Sequence, residues 1–93
     1  MVTAFILMNV ARDRIVAAAQ EILELAGVSE VYSVAGDYDL VAVVRVQEND
    51  QLAKLVTEDL IGVEGITKTH TLFAFRQYSR RDLERIDELG LSE

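Results

Sequence analysis

The sequence predicts an α+β fold of the ferredoxin-like kind. Its order is βαββαβ: a four-stranded antiparallel sheet with two helices on one face, plus a C-terminal helix. Three observations lead there. Apolar residues alternate with period two in several short runs, they switch to helical spacing between those runs, and glycines stand near the changes at Gly27, Gly36, Gly62 and Gly65.

The first run, residues 2–10, sets Val2, Ala4, Ile6, Met8 and Val10 on one face and Thr3, Phe5, Leu7 and Asn9 on the other. Both faces are largely apolar, and the period is that of a strand. Over residues 13–26 the spacing becomes helical, with Ile15, Ala18, Ala19, Ile22, Leu25 and Ala26 forming the stripe. Asp13 suits the N-terminal end and Gly27 the stop. Residues 28–35 and 40–46 then read as two strands of a hairpin. A two-residue turn at Gly36-Asp37 or at Asp37-Tyr38 gives the same faces. One carries Val31, Ser33, Ala35, Leu40, Ala42, Val44 and Val46, the other Tyr32, Val34, Val41 and Val43. An antiparallel hairpin with one wet side should alternate apolar with polar. Here each side needs a cover: helices for one, most simply a second subunit for the other.

A second helix is expected over residues 49–61, capped by Asn49 or Asp50, with Leu52, Leu55, Val56 and Leu60 as its stripe. Gly62 and Gly65 break it. The fourth strand, residues 66–76, has Thr67, Thr69, Thr71, Phe73 and Phe75 on one face and Lys68, His70, Leu72, Ala74 and Arg76 on the other. In the tail, Ser79 can cap a helix whose narrow stripe is Leu83, Ile86 and Leu89. A helix of about a dozen residues is marginal alone in water, so this one is expected to dock, on its own subunit or on a neighbour.

Ninety-three residues make one domain, and 51% of them are apolar. So small a domain buries roughly 60–70% of its unfolded surface, and self-association would help its stability. Without cysteine there is neither a disulfide framework nor a thiolate metal site. Residues 3–10 are too short to span a bilayer and no basic segment precedes them, so a soluble cytoplasmic protein is expected. The net charge of −7 disfavours direct contact with phosphate backbones. Arg76, Arg80, Arg81 and Arg85 are interleaved with Asp82, Glu84 and Asp87, as on a solvated helix face.

The element order, Gly36-Asp37-Tyr38-Asp39 at the hairpin and Gly65-Ile66-Thr67-Lys68-Thr69-His70-Thr71 in the last strand together resemble the effector-binding domain of the Lrp/AsnC feast/famine regulators. This is also called the regulation-of-amino-acid-metabolism domain. The resemblance covers residues 1–76, leaving 77–93 as the helical tail. It implies a dimeric α/β barrel-like sandwich with sheets packed face to face, dimers assembled into tetramers or octamers, and a free amino acid bound between dimers. Family regulators carry an N-terminal helix-turn-helix. This sequence starts at the first strand, so a stand-alone form is expected, one that modulates Lrp/AsnC-type transcription regulators by mixed assembly and does not itself bind nucleic acid.

The resemblance carries Gly36, Tyr38, Asp39, Thr69 and Thr71 to the effector site, with Asp37 at a variable family position. The chemistry suits a free amino acid. Its ammonium needs charged acceptors, which Asp37 or Asp39 can supply. Its carboxylate needs donors, which backbone N–H groups at Gly36 and the threonine hydroxyls can supply. Leu40 or Tyr38 would wall the side chain. Blander roles stand beside these: turn hydrogen bonds for Asp39, subunit packing for Tyr38, strand propensity for the threonines. His70, the only histidine, falls on the face opposite the threonines and reads as structural. No spacing supports a metal at Asp37, Asp39 and His70, no cofactor is expected, and the reading is of a non-enzyme. Two other classes remain open. A small cofactor-free dimeric barrel enzyme would need an enclosed cavity around a base such as His70. A ligand-free oligomeric scaffold would turn the aspartates to bulk solvent. The ACT domain shares the element order and would move the site.

Overall fold

The computed structural model describes residues 1–80. Most of the expected C-terminal helix, with Leu83, Ile86 and Leu89, lies outside them. The described elements are β1 (Val2–Val10), α1 (Ile15–Leu23), β2 (Val28–Ser33), β3 (Leu40–Val46), α2 (Asn49–Lys54) and β4 (Ile66–Ala74). The strands form one antiparallel sheet in the order β2-β3-β1-β4. This is the ferredoxin-like arrangement, and it puts the N-terminal strand beside both halves of the chain.

The alternation in β1 decides where the core sits. Ala4, Ile6 and Met8 are fully buried, as are Leu40, Ala42 and Val44 from β3. They meet Ala18 and Ile22 of α1 and Leu52 of α2 in a single cluster. Burying each large aliphatic side chain contributes about 1.5–3 kcal/mol relative to leaving it exposed. The opposite face of the sheet is open. Phe5, Tyr32 and Leu72 show 37%, 49% and 47% of their surface to solvent. At its β2 margin the Tyr32 hydroxyl donates to Glu30, and that carboxylate pushes the phenol up from its ordinary value.

The helices end differently from expectation. Asp13 lies in a 3-10 turn, Arg12–Arg14, with no side-chain cap, and α1 starts only at Ile15. The second helix is capped by neither Asn49 nor Asp50. Glu48 takes that place in a capping box with Gln51, whose Oε1 accepts from the Glu48 N–H at 2.9 Å and from Gln47 N–H at 2.8 Å. After Lys54 the helix widens into a π turn, Leu55–Asp59, and closes with a 3-10 turn, Leu60–Gly62. Leu55 and Leu60 explain the widening. Five residues apart in a regular α-helix they would diverge by about 140°, yet both are buried. A wider turn brings them to the same side.

Gly65 joins the helical half to β4 with φ +103°, and a Cβ there would stand 2.6 Å from Arg14 Cβ. Its carbonyl accepts from the Ala11 N–H at 2.8 Å, holding the start of β4 against the end of β1. β4 stops at Ala74, two residues short of expectation, so Phe75 and Arg76 lie beyond the ladder.

Candidate functional site

The link between β2 and β3 is not a two-residue turn. β2 ends at Ser33, two residues short of expectation, while β3 starts at Leu40 as expected, leaving residues 34–39 as a loop. The face assignment still holds, because Ser33 pairs with Leu40, Tyr32 with Val41 and Val31 with Ala42. A bulge between Val28 and Glu30 shifts the register only farther from the loop. Val34 N–H donates to Asp39 O at 3.0 Å and closes the base. The Asp39 N–H instead turns away, donating to Met8 O on β1 at 2.9 Å. The loop is thus carried sideways over the end of the central strand.

Three further contacts fix it there. Asp39 Oδ2 accepts from the Val10 N–H at 2.9 Å. Asn9 Nδ2 donates to Asp37 O at 2.8 Å. The Thr67 hydroxyl donates to Asn9 O at 3.2 Å, tying in β4. The Tyr38 ring then reaches the His70 ring, with centroids 6.4 Å apart. Gly36 sits at the tip with φ +119° and open space around the position of a Cβ. That φ strains any side-chain-bearing residue and leaves the tip amides approachable.

The arrangement brings Asp37, Tyr38 and Asp39 together with Asn9 and His70. Asp37 and Gly36 are exposed, while Tyr38 and Asp39 are half-buried. Asp39 does hold the loop, as the blander reading has it, but with one oxygen only. Among the described residues no donor reaches its Oδ1. Leu40 must be corrected: it is fully buried in the core, so it cannot wall an open site. Tyr38 is the apolar surface that remains.

Thr69 and Thr71 do not enter the same cluster. Thr69 pairs with Met8 and Thr71 with Ile6, so both point to the helix-covered side of the sheet, whereas His70 pairs with Leu7 and faces the open side. The threonines are nevertheless exposed, on β4 at the edge of the sheet. Thr67 and Thr69 border a groove of about 310 Å³ whose other wall includes Val56, Leu60 and Ile61. A larger groove, about 450 Å³, lies at the far end of the sheet among Phe5, Arg45, Arg76 and Tyr78. Neither groove is enclosed around His70. No group of three metal-ligating side chains occurs among the described residues.

Asn9 and His70 are the residues of this cluster that sequence reasoning did not assign to it. Alternation places Asn9 on the open face, and the strand end offers a polar residue there. Nothing in its own stretch says that a loop some 28 residues away would lean on it.

The comparisons with known proteins point one way. The profile of the family described as the Lrp/AsnC ligand binding domain matches residues 3–84. The transcriptional regulator LrpA1 of Halobacterium salinarum is 31% identical over 70 residues, covering 75% of this chain and 49% of the regulator. The chain therefore spans about half the length of the curated relatives it matches. The crystal structure of TTHA0845 from Thermus thermophilus superposes with a TM-score of 0.80 at 46% identity, covering 86% of this chain and 100% of that one. A feast or famine regulatory protein of M. tuberculosis, Rv3291c, was solved in complex with L-methionine. It superposes with a TM-score of 0.69 at 23% identity, over 87% of this chain and 55% of that one, a likeness of fold.

Proposed function

Since this chain belongs to the Lrp/AsnC ligand-binding domain family, we propose that it binds a free amino acid at the residue 34–39 loop and acts as an effector-sensing module. The observation that carries the reading is the loop itself. It is pinned by Asn9, Met8 and Val10, yet Gly36 and Asp37 are exposed, only one Asp39 oxygen is taken up by the pinning, and the space beside Gly36 is open. A zwitterion needs such a pairing of acceptors for the ammonium with backbone donors for the carboxylate.

The site is half of a pocket. Thr69 and Thr71 supply the hydroxyls from a bare sheet edge that faces away from the loop of their own protomer. They meet the loop of a neighbour when dimers assemble, and the open face carrying Phe5 and Leu72 packs on a second copy within each dimer. The assembly is a tetramer or an octamer, and binding is linked to it. The module acts in the cytoplasm, either alone or by entering mixed assemblies with Lrp/AsnC-type regulators. Residues 1–76 form the sensing domain. The amino-acid complex of Rv3291c supports this choice of effector class.

The test is thermal denaturation with each of the twenty amino acids at millimolar concentration. At least one is expected to raise the midpoint by several degrees, since a ligand at about 100 times its Kd adds roughly 2.7 kcal/mol. Stabilisation by none of them would sink the reading.

A further inference from the structure

We infer that Asn9 is the positioning residue of the effector loop: its side-chain amide, donating to the Asp37 carbonyl, sets the direction in which the Tyr38 amide points. The inference rests on the proposed effector site and names a residue of that site which the loop motif does not contain.

The geometry makes Asn9 a junction of three elements. Its Nδ2 holds the loop through Asp37 O at 2.8 Å. Its own carbonyl accepts from the Thr67 hydroxyl of β4 at 3.2 Å. The next residue, Val10, donates its N–H to Asp39 Oδ2 at 2.9 Å, and the one before, Met8, accepts from the Asp39 N–H at 2.9 Å. Three consecutive β1 residues therefore hold the loop at two points, Asp37 and Asp39. Fixing both leaves Tyr38 as the single residue between the anchors, and its ring lands beside His70.

The Asp39 anchor alone would not suffice. Gly36 has φ +119° and nothing within 4 Å of a Cβ position, so no packing fixes the chain at that residue. Val34 and Asp39 close only the base. With Asn9 removed, residues 35–38 would be held by hydrogen bonds only at their ends, Val34 and Asp39, with a glycine hinge between them. The peptide plane between Asp37 and Tyr38 is the one that Asn9 holds, so a rotation there swings the Tyr38 N–H away from an incoming carboxylate. The β1–β4 register shifts between Asn9 and Val10. Such irregularities commonly re-aim a side chain next to a site.

The test compares the wild-type chain with Asn9→Leu, Asn9→Asp and Asn9→Gln. Leu and Asp lack the donor, and Gln keeps an amide one methylene farther out. Hydrogen exchange is read at residues 35–39 and at the β1 and β3 core, and L-methionine affinity is read by calorimetry. Support is exchange at least tenfold faster in the loop for Leu and Asp, unchanged core protection, and affinity lowered at least tenfold with partial recovery in Gln. Equal exchange in the loop of all four proteins would overturn the inference, and so would a uniform rise across the whole sheet. If the wild-type chain binds no L-methionine, the exchange measurement still decides the role of Asn9, while the effector reading fails separately.

Discussion

Asp39→Ala is expected to lower unfolding stability by about 1–2 kcal/mol and to abolish amino-acid stabilisation in the same protein. The two losses have different origins. Oδ2 accepts the Val10 N–H at 2.9 Å, and Val10 is buried, so alanine leaves a backbone donor without a partner at the end of the central strand. Oδ1 is the oxygen assigned to the effector ammonium, and alanine removes it as well. Asp39→Asn separates them. Its amide oxygen can still accept from Val10, so stability should return to within about 0.5–1 kcal/mol of the parent, whereas the lost negative charge should still weaken binding tenfold or more. Urea denaturation with and without the effector reads both quantities. Equal binding by all three proteins would place the ammonium elsewhere.

The second large effect concerns the open sheet face. Phe5 and Leu72 are cross-strand partners in the β1–β4 register, and both are partly exposed in the protomer. Introducing aspartate at both positions should convert a self-associating chain to a monomer while leaving the far-UV circular dichroism unchanged. Each lost apolar side chain removes about 1.5–3 kcal/mol of burial. Together they weaken association by roughly 100-fold or more, since each 1.4 kcal/mol is a factor of ten. Unpaired carboxylates in the contact would add to that. Sedimentation across a concentration series distinguishes the states. A wild-type chain that stays monomeric throughout would contradict the face-to-face packing.

Much of the fold could be read from single residues. Period-two alternation in β1 separated Ala4, Ile6 and Met8 from Thr3, Phe5 and Leu7, and burial follows that division. The hairpin faces near the loop follow from the same logic, because a one-residue slip of register would turn Leu40 and Ala42 outward. Local capping was less legible. Several acidic or amide residues compete at each helix start, and Glu48 prevailed because Gln51 stands three residues on to complete the box. Helical spacing did put Leu55 and Leu60 on one stripe, and both are buried, but the π turn that brings them to the same side is a tertiary adjustment that the period does not show.

The candidate site was legible only in part. Gly36, Asp37, Tyr38 and Asp39 occupy the hairpin tip, as their residue types suggest. The length of the loop was hidden because the Asp39 N–H bonds to Met8 on β1 instead of closing a tight turn with β2. Leu40 read as a site residue because adjacency in sequence says nothing of which way a strand residue points; pairing with Ser33 and Met8 directs it into the core. The facing of Thr69 and Thr71 away from the loop is again a matter of register with β1, and it is this separation that makes a second dimer necessary to the proposed pocket.

That necessity can be examined directly by a crystal structure of the chain grown with the amino acid that stabilises it most. The expected result places the ammonium within hydrogen-bond reach of Asp39 and the carboxylate on the amides near Gly36. The hydroxyls of Thr69 or Thr71 should come from a neighbouring dimer. An amino acid seated instead between Arg45 and Arg76 at the far end of the sheet, or a complete pocket within one protomer, would contradict the account.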